Sequence, residues 1–150
     1  MELIDNLALG MSVALTWQNL LYAFTGCLVG TLIGILPGLG PVATIAMLLP
    51  ITYGLPPAAA LIMLASIYYG AQYGGSTTAI LLKLPGESSS AVTIIDGHTM
   101  ARQGRAGPAL SAAAIGSFIA GSIGVLLVAA LAVPLTEVAF KFGPAEYFSL

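Results

Sequence analysis

A long uncharged interval limits what this chain can fold into. No Asp, Glu, Lys or Arg occurs between Asp5 and Lys83. Apolar stretches of about 18 or more residues are typical of transmembrane helices, and this interval has room for several. Charged residues make up 7% of the chain, against about 25% in soluble domains, so little charge is present to cover a water-facing surface. The sequence therefore predicts an all-α, polytopic transmembrane helical bundle in a lipid bilayer.

The N-terminus and the charge balance exclude several other classes. Glu2 and Asp5 stand where a signal peptide would be basic, so we expect a short interfacial helix leading into the first span. Cys27 is the only cysteine, which excludes an internal disulfide. The net charge of −2 argues against a nucleic-acid partner.

Two stretches have the length and composition of membrane spans. We expect the first at residues 17–36, with Trp17 and Tyr22 as interfacial anchors, and the second at residues 109–133, between Pro108 and Pro134. Residues 83–107 form a polar segment between these spans.

The polar segment carries three basic residues, Lys83, Arg102 and Arg105. Basic residues are enriched in cytoplasmic loops, so we predict that residues 83–107 face the cytoplasm. Asp96 in this segment is interpreted as a helix cap. The sequence contains no motif of an intramembrane protease, and we predict that the protein is not an enzyme.

The uncharged interval is interrupted by Pro37-Gly38-Leu39-Gly40-Pro41. In hydrocarbon, unwound backbone is tolerated only inside protein or beside a watery cavity. Such breaks expose N–H groups that can face anions and carbonyls that can face cations, so Pro37, Gly38, Leu39 and Gly40 are candidate substrate-binding residues. Spacing alone does not distinguish this interpretation from a hinge or a turn at the membrane surface.

A second candidate break lies at Gly74-Gly75-Ser76-Thr77-Thr78. We expect it to be non-helical or helix-terminal, at membrane depth and close to the first break, with all five residues in the substrate site. The oxygens of Ser76 and Thr77 are also candidate ligands for Na⁺. The alternative is that these hydroxyls satisfy helix carbonyls in a packed bundle.

Small residues repeat every four positions in both predicted spans. They are Gly26, Gly30 and Gly34 in the first, and Gly116, Ala120 and Gly124 in the second. This spacing lets transmembrane helices approach closely, so we predict a packing role for both series.

Three stretches carry a resemblance to a known family. They are GTLIGILPGLGP at 30–41, YYGAQYGGSTTAILLKLPG at 68–86 and TIIDGHTMARQGRAGPAL at 93–110. With them, residues 20–150 resemble the large membrane subunit of tripartite tricarboxylate transporters. The resemblance implies a multi-pass permease of the bacterial inner membrane, built from two related halves. Because a single LPGLGP motif is present, residues 1–150 would be the N-terminal part of a longer two-repeat permease.

The resemblance also implies partners and an energy source. A small membrane subunit and a periplasmic solute-binding protein would assist the uptake of a carboxylate. Symport with Na⁺ or H⁺ would drive uptake, with no other cofactor. An ion channel, or a non-transporting membrane scaffold or assembly subunit, is the alternative function.

Overall fold

The computed structural model describes residues 2–139 and residue 143, and every regular element in this part of the chain is helical. The α-helices are α1 Glu2–Ala14, α2 Trp17–Gly34, α3 Pro41–Leu48, α4 Pro57–Leu82, α5 Ala91–Thr93, α6 Thr99–Arg102 and α7 Ala106–Ala139. A 3₁₀-helix, Leu49–Thr52, extends α3, and a π-helix, Ile94–His98, joins α5 to α6. The predicted all-α class is confirmed.

The chain divides into two compact units, residues 1–114 and residues 115–150. The first unit contains α1 to α6 and the first residues of α7. The second contains the rest of the described part of α7.

Among the described residues, α7 is the one helix that alone has the length and hydropathy of a membrane span, over Ala106–Ala132. At 1.5 Å per residue this stretch covers about 40 Å, more than the roughly 30 Å hydrocarbon core. It includes nearly all of the second predicted span. Its large apolar side chains are exposed, as with Phe118 at 76%. Such an apolar surface is suited to contact with lipid or with other apolar helices.

The first predicted span differs in detail from the structure. Helix α2 ends at Gly34, and it reaches the hydropathy of a span only together with α1, from which it is bent by 76°. The predicted interfacial N-terminal helix corresponds to α1, which has 13 residues.

The first predicted break is confirmed. Residues 35–40 lie outside the helices, and Gly38 has a φ of +86°, in the left-handed region that glycine enters without steric cost. Pro41 then begins α3 at the first helical position, where its missing N–H would have had no partner in the helix.

The second predicted break is wrong. Helix α4 continues without interruption through residues 74–78. Glycine costs about 1 kcal/mol in a helix interior relative to alanine, but packing overrides this preference here. Gly74 and Gly75 are buried in the structure, and their lack of a Cβ allows neighbouring backbone to approach α4.

The crossing of α2 and α4 explains the first glycine series. A Cβ on Gly26 would lie 2.7 Å from the Met63 carbonyl oxygen, and a Cβ on Gly30 would lie 2.8 Å from the Ile67 Cα. Gly34 likewise faces the Ala71 backbone. The predicted packing role of this series is therefore confirmed.

Helix α4 contributes glycines to the same crossing. A Cβ on Gly70 would lie 2.8 Å from the Thr31 nitrogen, and one on Gly74 would lie 2.5 Å from the Thr31 oxygen. For the second series, no described atom lies within 4 Å of a Cβ built on Gly116 or Gly124. The packing role of that series stays a prediction.

Candidate functional site

The chain reverses direction at the end of α4. Lys83 has a φ of 60° and its N–H donates to the Thr78 carbonyl, which closes the helix with a left-handed residue. The next residues therefore run back along α4 instead of leaving it.

The returning loop reaches the α2–α4 crossing at Gly86. Its Cα lies 3.3 Å from a Cβ built on Gly75, and a Cβ on Gly86 would lie 3.0 Å from the Gly34 oxygen. Gly75 is about two turns before the end of α4, or roughly 10 Å along its axis. The loop thus descends along α4 until three glycine backbones meet, and no side chain separates them.

After this point the chain returns along α4 through α5 and the π-helix. A Cβ on Gly97 would lie 2.8 Å from the Ile80 Cγ1. His98 Nδ1 lies 3.0 Å from the Ile80 carbonyl oxygen. Since a carbonyl can only accept, the imidazole donates through Nδ1–H. This bond serves one of the last carbonyls of α4, which lack partners within the helix.

Residues 84–98 therefore form a hairpin packed along α4, which we call the 84–98 hairpin. The first part of the polar segment predicted over residues 83–107 packs along α4 in the structure. The predicted cytoplasmic side of the segment stays a prediction.

The tip of the 84–98 hairpin lies beside the break between α2 and α3. The Glu87 Cβ is 3.7 Å from a Cβ built on Gly40. Ser90 fixes the turn, because its hydroxyl donates to the Glu87 carbonyl at 2.9 Å and accepts from the Glu87 N–H at 3.3 Å. The Ser89 hydroxyl donates to the Glu87 carboxylate. Glu87 is half-buried.

The break itself presents backbone groups of both polarities. Among the described residues, none donates a hydrogen bond to the carbonyls of Pro37, Gly38 or Leu39. Gly40 precedes α3 and provides no side-chain cap, so the first N–H groups of that helix lack a capping partner. Carbonyls of this kind can hold a cation, and the N–H groups favour an anion.

The hydroxyls predicted for the site bond within α4. Ser76 donates to the Gln72 carbonyl at 3.1 Å and Thr77 to the Tyr73 carbonyl at 2.9 Å. Thr78 is buried and donates to the Gly75 carbonyl at 3.0 Å. These bonds agree with the alternative that the hydroxyls satisfy helix carbonyls. Each hydroxyl oxygen nevertheless keeps a lone pair that can contact a ligand. A ligand role for these residues stays a prediction.

The structure brings part of the predicted site together. Gly74 packs against Thr31 and Gly34 at the end of α2, directly before the break, and Gly75 contacts Gly34 and Gly86. Ser76 and Thr77 follow on α4 as half-buried residues.

Glu87 and Gly86 were missed by reasoning from the sequence. One signal could have found them, because Leu36-Pro37-Gly38 is repeated as Leu84-Pro85-Gly86. In the part of the chain that the structure describes, no three His, Cys, Asp or Glu side chains form a metal-binding group.

Comparison with known proteins gives a family match. The model of the tripartite tricarboxylate transporter TctA family matches residues 20–150. A 52.8 kDa protein of Agrobacterium vitis, described by its position in the TAR-I ttuC' 3'region, is 65% identical over 150 residues. The match covers 100% of this chain and 30% of that relative. No solved structure matches the chain.

Proposed function

Because this chain belongs to the tripartite tricarboxylate transporter TctA family, we propose that it is the N-terminal part of a multi-pass carboxylate permease of the bacterial inner membrane. The chain spans about a third of the relative it matches, so transport is proposed for the longer protein. The observation that carries the proposal is the family match over 131 residues, 20–150, which include the interrupted helices and the 84–98 hairpin.

The proposed substrate site lies at the break between α2 and α3. A helix N-terminus carries about half a positive charge, and its free N–H groups suit a carboxylate. The uncharged interval contains no Lys or Arg that could serve instead. Gly38 and Gly40 leave the backbone uncovered, so the substrate can approach it closely. Of the predicted residues on α4, the half-buried Ser76 and Thr77 would line the opposite side, while Gly74 and Gly75 hold α2 and the 84–98 hairpin against α4.

The proposed partners follow from the three-part nature of the family's transporters. A periplasmic solute-binding protein would deliver the carboxylate, and a small membrane subunit would complete the membrane component. A cation gradient would drive symport. The cation binds with the substrate, because uptake of an anion against the membrane potential is opposed by about 2.3 kcal/mol per charge at 100 mV.

Uptake of a radiolabelled tricarboxylate into proteoliposomes tests the proposal. The complete permease, its small subunit and its binding protein are expected to give saturable uptake that requires an inward cation gradient. Conductance without saturable uptake would instead support a channel, and the absence of both would support a scaffold.

A matched pair of variants tests the site. Gly38 and Gly104 both have positive φ, +86° and +78°, and a Cβ on either would meet no atom within 4 Å. Gly38→Val and Gly104→Val therefore impose similar backbone strain, about 1–2 kcal/mol. Only Gly38→Val is expected to reduce carboxylate affinity, since only Gly38 lies in the break. Equal uptake by the two variants would contradict the proposed site.

A further inference from the structure

We propose that Glu87 is a ligand of the coupling cation, and that this cation is Na⁺, bound between the tip of the 84–98 hairpin and the break after α2. The inference rests on the proposed function, since it assigns the energy-coupling step of that permease to one carboxylate. The inference starts from the position of Glu87 beside the break. The sequence did not predict this position, because Glu87 is far from the break along the chain.

The contact between Gly34, Gly75 and Gly86 fixes where Glu87 lies. Since no side chain separates these backbones, the hairpin has little room to slide or retract without losing the packing. Glu87 is the next residue after Gly86, and its Cβ lies 3.7 Å from a Cβ built on Gly40. Its carboxylate is therefore within a side chain's reach of the unwound segment.

The charge at this position lacks a balancing group. Within the described residues, no Lys or Arg forms an ion pair with Glu87, and its carboxylate accepts from the Ser89 hydroxyl. A half-buried carboxylate that no basic side chain neutralises can take a cation as its partner. A bound cation would supply the missing charge.

The oxygens available at the break fit Na⁺ better than a divalent ion. The free carbonyls of Pro37, Gly38 and Leu39 are neutral oxygens, which together with one carboxylate balance a single positive charge. Ca²⁺ sites usually contain several carboxylates, and the described residues hold no such group. Freed carbonyls at broken helices are also the groups that coordinate Na⁺ in other transporters.

A cation at Glu87 would couple its own binding to that of the carboxylate. Without the cation, the negative charge of Glu87 repels an anion approaching the start of α3. With the cation bound, this repulsion is cancelled. Each ligand therefore raises the affinity of the other by the same factor, as linkage requires.

Binding of Na⁺ alone is the primary test. The melting temperature of the purified complete permease is measured against NaCl, with choline chloride added to keep ionic strength constant and KCl as a selectivity control. The wild type is expected to show a saturable Na⁺-dependent rise. Glu87→Gln is expected to raise the half-saturating Na⁺ concentration roughly 10- to 150-fold, the range for losing a contact to a charged group.

Two control variants sharpen the test. Asp96→Asn removes an exposed carboxylate from the same hairpin and is expected to leave the Na⁺ response unchanged. Glu87→Asp keeps the charge and is expected to retain more of the response than Glu87→Gln. A Na⁺ response in Glu87→Gln equal to wild type would overturn the inference, and so would equal stabilisation of the wild type by K⁺, or stabilisation by acid pH alone.

The same measurements separate this inference from the proposed function. If the permease takes up no carboxylate but still binds Na⁺ through Glu87, the proposed function fails and the cation site stands. If carboxylate uptake is Na⁺-driven and unaffected by Glu87→Gln, the proposed function stands and Glu87 is not the ligand.

Discussion

The close approach of α2 and α4 predicts that Gly30→Ala weakens the fold. The new Cβ would lie 2.8 Å from the Ile67 Cα and still closer to the Ile67 carbonyl oxygen. Ordinary contacts between carbon atoms are about 3.5–4.0 Å, so the helices must separate by roughly 1 Å. Because both opposing atoms belong to the backbone, no side-chain rotation relieves the clash. Overpacking of this kind costs about 1–3 kcal/mol.

Gly10→Ala in α1 is the matched control. A Cβ on Gly10 meets no atom within 4 Å, and both substitutions gain the same helix propensity, about 1 kcal/mol. The difference between the two variants therefore isolates the packing term, and we expect Gly30→Ala to be less stable than Gly10→Ala by about 1–3 kcal/mol.

The midpoint of SDS-induced unfolding of the full-length protein in mixed micelles is a suitable assay. Equal midpoints for the two variants would refute the close crossing. A more stable Gly30→Ala variant would have the same consequence, since it would mean that helix propensity alone governs the site.

Three further predictions concern the end of α4 and the polar segment. Lys83→Gly should raise stability by about 1 kcal/mol, because glycine accepts the left-handed φ of 60°, and an unchanged unfolding midpoint relative to wild type would count against that conformation. Ser76→Ala and Thr77→Ala should each weaken apparent carboxylate or Na⁺ affinity about 5- to 150-fold in uptake assays if the lost oxygen is a ligand; unchanged affinities would leave only the helix-bonding role. A cysteine at Gln103 should react with a membrane-impermeant maleimide from the cytoplasmic side, and labelling from the periplasmic side alone would contradict the predicted orientation.

The break at residues 35–40 could be predicted because its cause is local. Two prolines and two glycines in five residues disfavour a helix whatever surrounds them, and the structure is interrupted there. The packing role of the glycine series in α2 could also be predicted, since its four-residue spacing places these glycines on a single helix face.

The continuity of α4 at residues 74–78 could not be predicted from the local sequence. Glycines that unwind a helix and glycines that admit a neighbouring backbone give the same local sequence. Only the contact of Gly74 with Thr31 on α2 decides between them, and this contact joins residues far apart in the chain. The hydroxyls then remain in the helix because its carbonyls accept from them.

The 84–98 hairpin was unpredictable for a related reason. Its charged residues indicate a segment in contact with water. Its position along α4, however, depends on the contact of Gly86 with Gly75 and Gly34. The repeated Leu-Pro-Gly sequence marks both turns, but it does not say that they meet.

A disulfide between residues 40 and 87 tests most directly whether the hairpin tip meets the break. The separation of 3.7 Å between the Glu87 Cβ and a Cβ built on Gly40 falls within the roughly 3.5–4.5 Å of disulfides. In a cysteine-free background that includes Cys27→Ser, the Gly40→Cys, Glu87→Cys pair should oxidise readily in membranes, and the linked peptides should appear by mass spectrometry. The pair Gly10→Cys, Glu87→Cys is the control and should stay reduced. Absence of the 40–87 link under conditions that oxidise a known disulfide would contradict the account.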